Sequence, residues 1–350
     1  MKKLRVGVIG CGSIAQHRHL PEYKLNQKVE LTAVCDIHED RVNEIAEKYG
    51  VAAFTSFKAL LSSGMVDAVS VCTSNDLHAP VSIAALEAGI HVLCEKPMAT
   101  SKQEAEAMIA AAEKSGKKLM IAHNQRFVPS HQKARQLLQS GEIGKIYSFR
   151  TTFGHGGPEN WSVEGKDGWF FQKEKAFVGA MGDLGVHKAD LLRFLLDEDV
   201  VEVGSFVETS AKDFANVDDN AVCILKTESG IIGTLAASWA YVSREDNSTI
   251  IYGEKAILRL EDDPLHSLVV QYVNGEVVKY ELGRIQSNEA GGQNTSQVVE
   301  KFVDSILLDQ VPPVPGEEGM KSLAVILAAL ESNQTKQIVR VDNQISRIGD

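Results

Sequence analysis

Three residues of this 350-residue chain have types and spacings suited to acid–base work on a hydroxyl group: Lys96, Asp183 and His187. Asp183 and His187 lie four apart in Gly182-Asp183-Leu184-Gly185-Val186-His187, so on a helix they share one face. A carboxylate there can orient an imidazole, and histidine titrates near neutral pH, as a general base should. The competing reading is an aspartate helix cap beside a histidine satisfied by its surroundings. Lys188 follows directly, does not share that face, and by like-charge repulsion would lower the histidine's pKa. Lys96 stands in Glu95-Lys96-Pro97, just past an apolar run, where an ammonium can hydrogen-bond a reacting hydroxyl and a ribose hydroxyl together. Glu95 would hold that charge or bind the ribose, and Pro97 would fix the backbone, in one reading through a cis bond. A solvated surface lysine is the plainer alternative.

Such groups need a crevice to act in, and the head of the chain supplies one. Leu4 to Ile9 reads as a buried strand running into Gly10-Cys11-Gly12-Ser13-Ile14-Ala15, a turn that starts a helix. Gly10 permits the turn, Gly12 removes the side chain where a pyrophosphate must approach, and Ala15 lets the helix pack close to the strand. The helix start at Ser13 and Ile14 then faces the anion with free N–H groups and a positive dipole end. The next strand, Val29 to Cys35, ends at Asp36, placed to bind the adenine-ribose hydroxyls and to repel a 2′-phosphate. NAD is therefore the expected cofactor, with Arg41 keeping NADP as the alternative; an ordinary turn acid is the bland reading of Asp36. After a third strand, Thr73, Asn75 and His78 are placed to line the pyrophosphate and nicotinamide ribose, unless Asn75 only caps a helix.

The bulk numbers allow a large core and, from length, two domains: 44% of residues are hydrophobic. Lys and Arg total 36 against 47 for Asp and Glu, a net charge of −11 that argues against nucleic acid or an anionic membrane as the main partner. Cys11, Cys35, Cys72, Cys94 and Cys223 have no C-x-x-C spacing, so reduced, buried thiols are expected, with no disulfide and no metal site. That usage fits a cytoplasmic protein. Met1-Lys2-Lys3 and the apolar residues after it imitate a signal, but the run is short and broken by useful glycines. No segment reaches the roughly 18 uninterrupted apolar residues of a membrane span.

Up to residue 122 strands and helices alternate. Helices are expected over Glu39 to Tyr49, from Ser56 to Gly64, over Asp76 to Ala88, and from the capping box Ser101-Lys102-Gln103-Glu104 to Gly116; strands over Asp67 to Cys72, Ile90 to Cys94 and Lys118 to Ala122. Alternation of this kind builds a doubly wound parallel sheet. Beyond it come a helix over Pro129 to Gln139, a strand over Ile146 to Phe153, a Gly- and Trp-containing loop, a helix over Leu184 to Leu196, and a succession of strands from Val200 to Leu282 with a hairpin turn at Asn274-Gly275. The expected fold is α/β: a Rossmann domain over 1–122, then a mainly antiparallel α+β domain over 123–350 whose closing helices pack back on the first.

Taken in order, residues 4–15, Asp36, Asn75 to His78, Glu95-Lys96-Pro97, Gln125-Arg126-Phe127, Asp183 to His187, and Pro315-Gly316-Glu317-Glu318-Gly319 resemble the glucose-fructose oxidoreductase and inositol dehydrogenase (Gfo/Idh/MocA) family over nearly the whole chain. The resemblance implies an open-faced C-terminal sheet used for oligomerisation, hence a homodimer or homotetramer. It also implies that Lys96, Asp183 and His187 contact the hydroxyl being oxidised, with His187 as base. The expected activity is reversible hydride transfer between a sugar, cyclitol or related polyol and the nicotinamide. An NAD-using glycosidase of the same broad family and a non-catalytic nucleotide-dependent sensor are the competing functions. Substrate choice is expected in the loop from Gly154 to Gly179, with His155, Asn160, Trp161 and Trp169 as hydroxyl and ring-face contacts or as packing between domains. Arg126, just past a strand, would bind substrate or cofactor phosphate, or bridge the domains.

Overall fold

The computed structural model describes residues 3–242, 244–283 and 296–345; Met1 and Lys2 of the signal-like head and residues 346–350 of the second expected domain lie outside the described residues. Six short apolar strands form one parallel sheet: β1 (Leu4–Ile9), β2 (Val29–Cys35), β3 (Ala52–Phe54), β4 (Ala68–Val71), β5 (His91–Cys94) and β6 (Leu119–Ile121). Their order is β3-β2-β1-β4-β5-β6, so the winding reverses between β1 and β4, and the crevice opens at the carboxyl ends there. β3 is absent from the sequence pattern because three residues at a sheet edge carry too little periodicity to read. The helix over Lys102–Ser115 is capped by Ser101, whose Oγ accepts the Glu104 N–H at 3.2 Å. The Glu104 carboxylate reaches one residue further back than a standard capping box, to the Thr100 N–H at 2.9 Å.

The second sheet has nine strands: β7 (Ile146–Gly154), β8 (Val200–Glu208), β9 (Asn220–Thr227), β10 (Ile232–Ser238), β11 (Thr249–Gly253), β12 (Ala256–Leu260), β13 (Leu268–Tyr272), β14 (Val277–Tyr280) and β15 (Val339–Arg340). Every pairing is antiparallel except β10 with β7, and the Asn274-Gly275 hairpin joins β13 to β14, with Gly275 at φ +90. Strict alternation places Ala221, Cys223 and Leu225 of β9 in the core and Val222 and Ile224 on the outer face.

The long helix over Gly316–Thr335 joins both cores: Met320 and Leu323 pack with the first sheet, Val325, Ile326 and Ala329 with the second. Glycines let it press on the first sheet, since a Cβ on Gly319 would lie 2.6 Å from the Ile121 side chain. The helix expected from Leu184 begins instead with a wide π-turn, Met181–Gly185, and becomes α-helical over Val186–Leu196. A second π-turn, Ala15–His19, follows the glycine turn. Among the described residues no helix is long and apolar enough to cross a membrane.

Candidate active site

The glycine turn is shaped from both sides. Gly10 has φ +90, and a Cβ there would sit 2.4 Å from the Cys72 carbonyl oxygen, so only glycine fits where β1 meets the end of β4. A Cβ on Gly12 would meet nothing within 4 Å, which leaves its backbone open to a ligand. The Asp36 carboxylate accepts the Cys11 N–H at 2.8 Å and the His38 N–H at 2.9 Å, tying the turn to the end of β2. Burial and the charge of Asp36 push the Cys11 thiol up to about 12, so it stays a packing group. This bare, anchored backbone beside a buried acid fits a dinucleotide pyrophosphate and ribose. Arg41 stands beside Asp36 at 3.5 Å, but its guanidinium also donates to Glu164 at 2.5 Å, so two carboxylates balance its charge.

Across the crevice, Lys96 Nζ donates to Asp183 Oδ1 at 2.8 Å and to the Asp183 carbonyl at 2.9 Å. The Lys96-Pro97 bond is cis. Asp183 sits in the π-turn held by Asp218, whose carboxylate accepts the Gly179 and Met181 N–H groups at 2.7 Å each. Gly179 is required there, because a Cβ would fall 1.8 Å from the Asp218 carbonyl oxygen. His187 follows one turn on, its Nδ1 buried without a partner. Burial holds its pKa well below the ordinary histidine value, reinforced by the charge of Lys96 and then by His123, Arg18 and Lys188, so the ring is neutral near pH 7. Lys188 contributes in the expected direction but least of these.

Several expected roles change. Asp183 does not orient His187: its second oxygen accepts Trp239 Nε1 at 3.1 Å, so its carboxylate bonds Lys96 and an indole brought from the end of β10. Of the roles open to Arg126 the structure shows the bridging one; it donates at 2.7 Å to both oxygens of buried Asp190 and at 2.9 Å to Glu318, tying three segments together, because a buried guanidinium needs carboxylates around it. His78 is buried with Nδ1 at 2.7 Å from the Pro97 carbonyl and Nε2 at 3.2 Å from that of Thr73, so both ring nitrogens are engaged in bracing two loops. Asn75 neither caps its helix nor lies open: its amide donates to the Ala176 carbonyl at 2.9 Å. Glu95 turns inward to His19 Nε2 at 3.0 Å; burial pushes its pKa up, but the hydrogen bond and charge of His19, with Lys96 and Arg18, hold it at about 2. The Thr73 hydroxyl donates to the Ser74 carbonyl at 3.2 Å.

The loop after β7 folds over the glycine turn, where Ser13 Oγ donates to the Trp161 carbonyl at 3.1 Å. His155 Nδ1 accepts the Gly157 N–H at 3.0 Å, which leaves the ring proton on Nε2, buried and unpartnered. Trp161 Nε1 is likewise buried without a partner. Phe153 stands between the histidines, its ring 5.9 Å from His155 and 5.8 Å from His187. Buried polar groups are ordinarily hydrogen-bonded, so these orphaned donors and acceptors suit a ligand rich in hydroxyls. Trp169 differs: it stacks on Phe170 at 3.9 Å and packs against the second core, and Asn160 is exposed.

Two site residues escaped the sequence reading. Trp239 gave no motif, only its place at the end of an expected strand. His123 lies two residues past β6, so inspecting every carboxyl end of the parallel strands would have found it; both ring nitrogens are buried without hydrogen bonds, and its ring lies 6.5 Å from that of His187. Burial, together with nearby cations and against the pull of Asp190, lowers its pKa to about 4.

Residues 4–123 match a family model described as an oxidoreductase family with the NAD-binding Rossmann fold, and residues 131–259 match the GFO/IDH/MocA C-terminal domain. The chain is 27% identical to the myo-inositol 2-dehydrogenase of Thermotoga maritima over 98% of this chain and 100% of that one. It is 29% identical to the D-glucoside 3-dehydrogenase of Escherichia coli over 95% and 96% of the two chains. The crystal structure of aldose-aldose oxidoreductase from Caulobacter crescentus, complexed with glycerol, matches with a TM-score of 0.83 at 25% identity, covering 97% of this chain and all of that one.

Proposed function

The chain belongs to the GFO/IDH/MocA family of oxidoreductases, and from that premise we propose that it transfers hydride reversibly between a secondary hydroxyl of a sugar, cyclitol or related polyol and NAD, with Lys96, Asp183 and His187 as its catalytic group. The observation that carries this reading is the clamping of Lys96 by Asp183 beside a neutral, unpartnered His187. An ammonium has three donors; Asp183 takes two, and the third is left for the reacting oxygen. Lys96 thereby steadies negative charge developing on that oxygen while His187 accepts its proton. NAD, when held by Gly10, Gly12, Ser13, Ile14, Ala15 and Asp36, supplies the electron-pair acceptor. His155 and Trp161 offer donors to the remaining hydroxyls, and the loop that carries them excludes water by closing over the turn at Ser13.

The deciding experiment is spectrophotometric: NADH appearance with a panel of cyclitols, aldoses, sugar acids and glycosides. One NADH per substrate consumed is expected. NAD-dependent glycoside cleavage without net NADH would replace this reading by the glycosidase, and NAD binding with no turnover of any sugar by the sensor.

We further place the protein in the cytoplasm, where five free, buried cysteines persist reduced, and read it as a homodimer or homotetramer. The support for assembly is the outer sheet face, where Phe206, Val222, Ile224 and Ile232 are 70%, 49%, 63% and 55% exposed on adjacent strands. Sedimentation of wild type against Ile224→Glu tests it: the wild type should run as the oligomer and the variant as a smaller species.

A further inference from the structure

The corner of the cofactor crevice around Asp36 is completed by a residue from the other domain. Arg41, on the helix over Glu39–Tyr49, directs Nη1 at Asp36 Oδ2 over 3.5 Å and donates from Nη2 to Glu164 Oε1 at 2.5 Å. The short contact is thus with a carboxylate 123 residues away, in the loop after β7, and the long one with the near neighbour. Asp36 is committed elsewhere, since its two oxygens already accept the Cys11 and His38 N–H groups.

Glu164 is brought there by a loop folded on itself and tied at both ends. The Ser162 N–H donates to the Pro158 carbonyl at 2.8 Å and the Ser162 hydroxyl to the Gly165 carbonyl at 3.2 Å, while Gly165, at φ +57, turns the chain directly after Glu164. Lys212 ties the loop to the second domain, donating to the Gly156 carbonyl at 2.9 Å and pairing with Glu159. The bond from Ser13 to the Trp161 carbonyl ties it to the glycine turn. The Arg41 side chain is only 18% exposed in this pair, so solvent screens it incompletely.

NAD and NADP differ only in a phosphate on the adenine ribose, the part of the dinucleotide read above as held by Asp36. A phosphate monoester carries a charge of about −1.5 to −2 and is recognised best by a guanidinium with two donors free for it. Arg41 is the cation beside Asp36, but Glu164 takes its Nη2 and adds a second carboxylate to the corner. A 2′-phosphate would have to displace Glu164 and would face two anions with one cation. A neutral 2′-hydroxyl meets no such repulsion.

We propose, on the dinucleotide-site reading above, that Glu164 is a cofactor-specificity residue: by holding Arg41 it turns away dinucleotides phosphorylated on the adenine ribose, so that a loop of the second domain decides which cofactor the first domain accepts.

The test is binding of NAD and of NADP to the full chain without sugar, by isothermal titration calorimetry, in wild type, Glu164→Ala, Arg41→Ala and the double variant. Glu164→Ala should tighten NADP about tenfold or more and leave NAD within about threefold, as relief of like-charge repulsion does. Adding Arg41→Ala should abolish that gain, because the released guanidinium produces it. Unchanged NADP affinity in Glu164→Ala, an equal shift for both dinucleotides as simple loosening of the loop would give, or a gain that survives Arg41→Ala would overturn the proposal while leaving NAD binding and hydride transfer standing. A wild type that binds NADP more tightly than NAD would overturn it too, and one that binds neither would remove the cofactor reading with it.

Discussion

Two π-turns open onto the same cleft from opposite walls, Ala15–His19 behind the glycine turn and Met181–Gly185 ahead of His187, and they are held in place by different kinds of neighbour. The first follows a glycine turn tied mostly at short range: Asp36 reaches back 25 residues to the Cys11 N–H, although Gly10 fits against Cys72 past the end of β4 and His19, in the turn itself, meets Glu95 from 76 residues away. The second is assembled at long range. Asp183 meets Lys96 from 87 residues away and Trp239 from 56, and Asp218 anchors the turn's start from the edge of another strand. The glycine turn keeps its main acidic anchor within one βαβ stretch, whereas the Lys96–Asp183 pair draws on several strand ends. Wide turns of this type recur at functional sites because the extra residue re-aims the side chains around it.

If the walls divide labour in this way, substitutions on the Asp183 side should damage turnover and spare NAD, and those on the glycine-turn side the reverse. The largest effect is expected for His187→Ala: kcat should fall by roughly two to four orders of magnitude, the usual contribution of a positioned base, with the NAD dissociation constant within a few-fold of wild type. Full rate at saturating substrate would remove His187 from the base role. Lys96→Met should lower kcat by roughly two to three orders of magnitude, as loss of one preorganised donor to a developing oxyanion does. A loss seen chiefly in NAD affinity would shift Lys96 to the cofactor wall and erase the contrast.

Asp36→Ala makes the reciprocal break. It should raise KM for NAD about tenfold or more, improve NADP relative to NAD, and leave kcat at saturating NAD near wild type, consistent with loss of a buried charged acceptor. Initial rates with both dinucleotides read this directly. Trp239→Phe keeps the ring but removes the donor to Asp183 Oδ2, so kcat should drop about three- to tenfold, with substrate KM changing less.

The smallest expected effect is in the acid limb of kcat/KM. Burial and the cations around His187 set its folded pKa below 6.5, so as pH falls through 6.5 the folded ring stays neutral and competent. Activity at pH 6 should therefore lie within about twofold of that at pH 7, and a limb centred at or above 6.5 would assign the base to another group.

The glycine turn and Asp36 were legible because they act through main-chain geometry that leaves a mark in local order: glycine where φ is positive or the backbone lies bare, an acid at the end of the next strand. The second sheet was also legible in outline, since its strands alternate and its hairpin turn is Asn-Gly. What could not be read was partnership. Arg126 sits just past a strand, as a ligand-binding arginine would, and only packing reveals Asp190 and Glu318 around it. His78 and Asn75 occupy cofactor-like positions yet bind carbonyls. Trp239 has no sequence signature at all, because a hydrogen bond to a side chain 56 residues away imposes no local spacing.

The amino-acid order by itself determined the two kinds of sheet and the cofactor class, since these follow from periodicity and steric demands on glycine, and it marked Lys96, Asp183 and His187 as candidates by the chemistry of their side-chain types. Tertiary structure alone decided that Asp183 clamps Lys96 and not His187, and that Arg126 is a girder. Those facts depend on which strand ends converge, and convergence is set by packing over the whole chain.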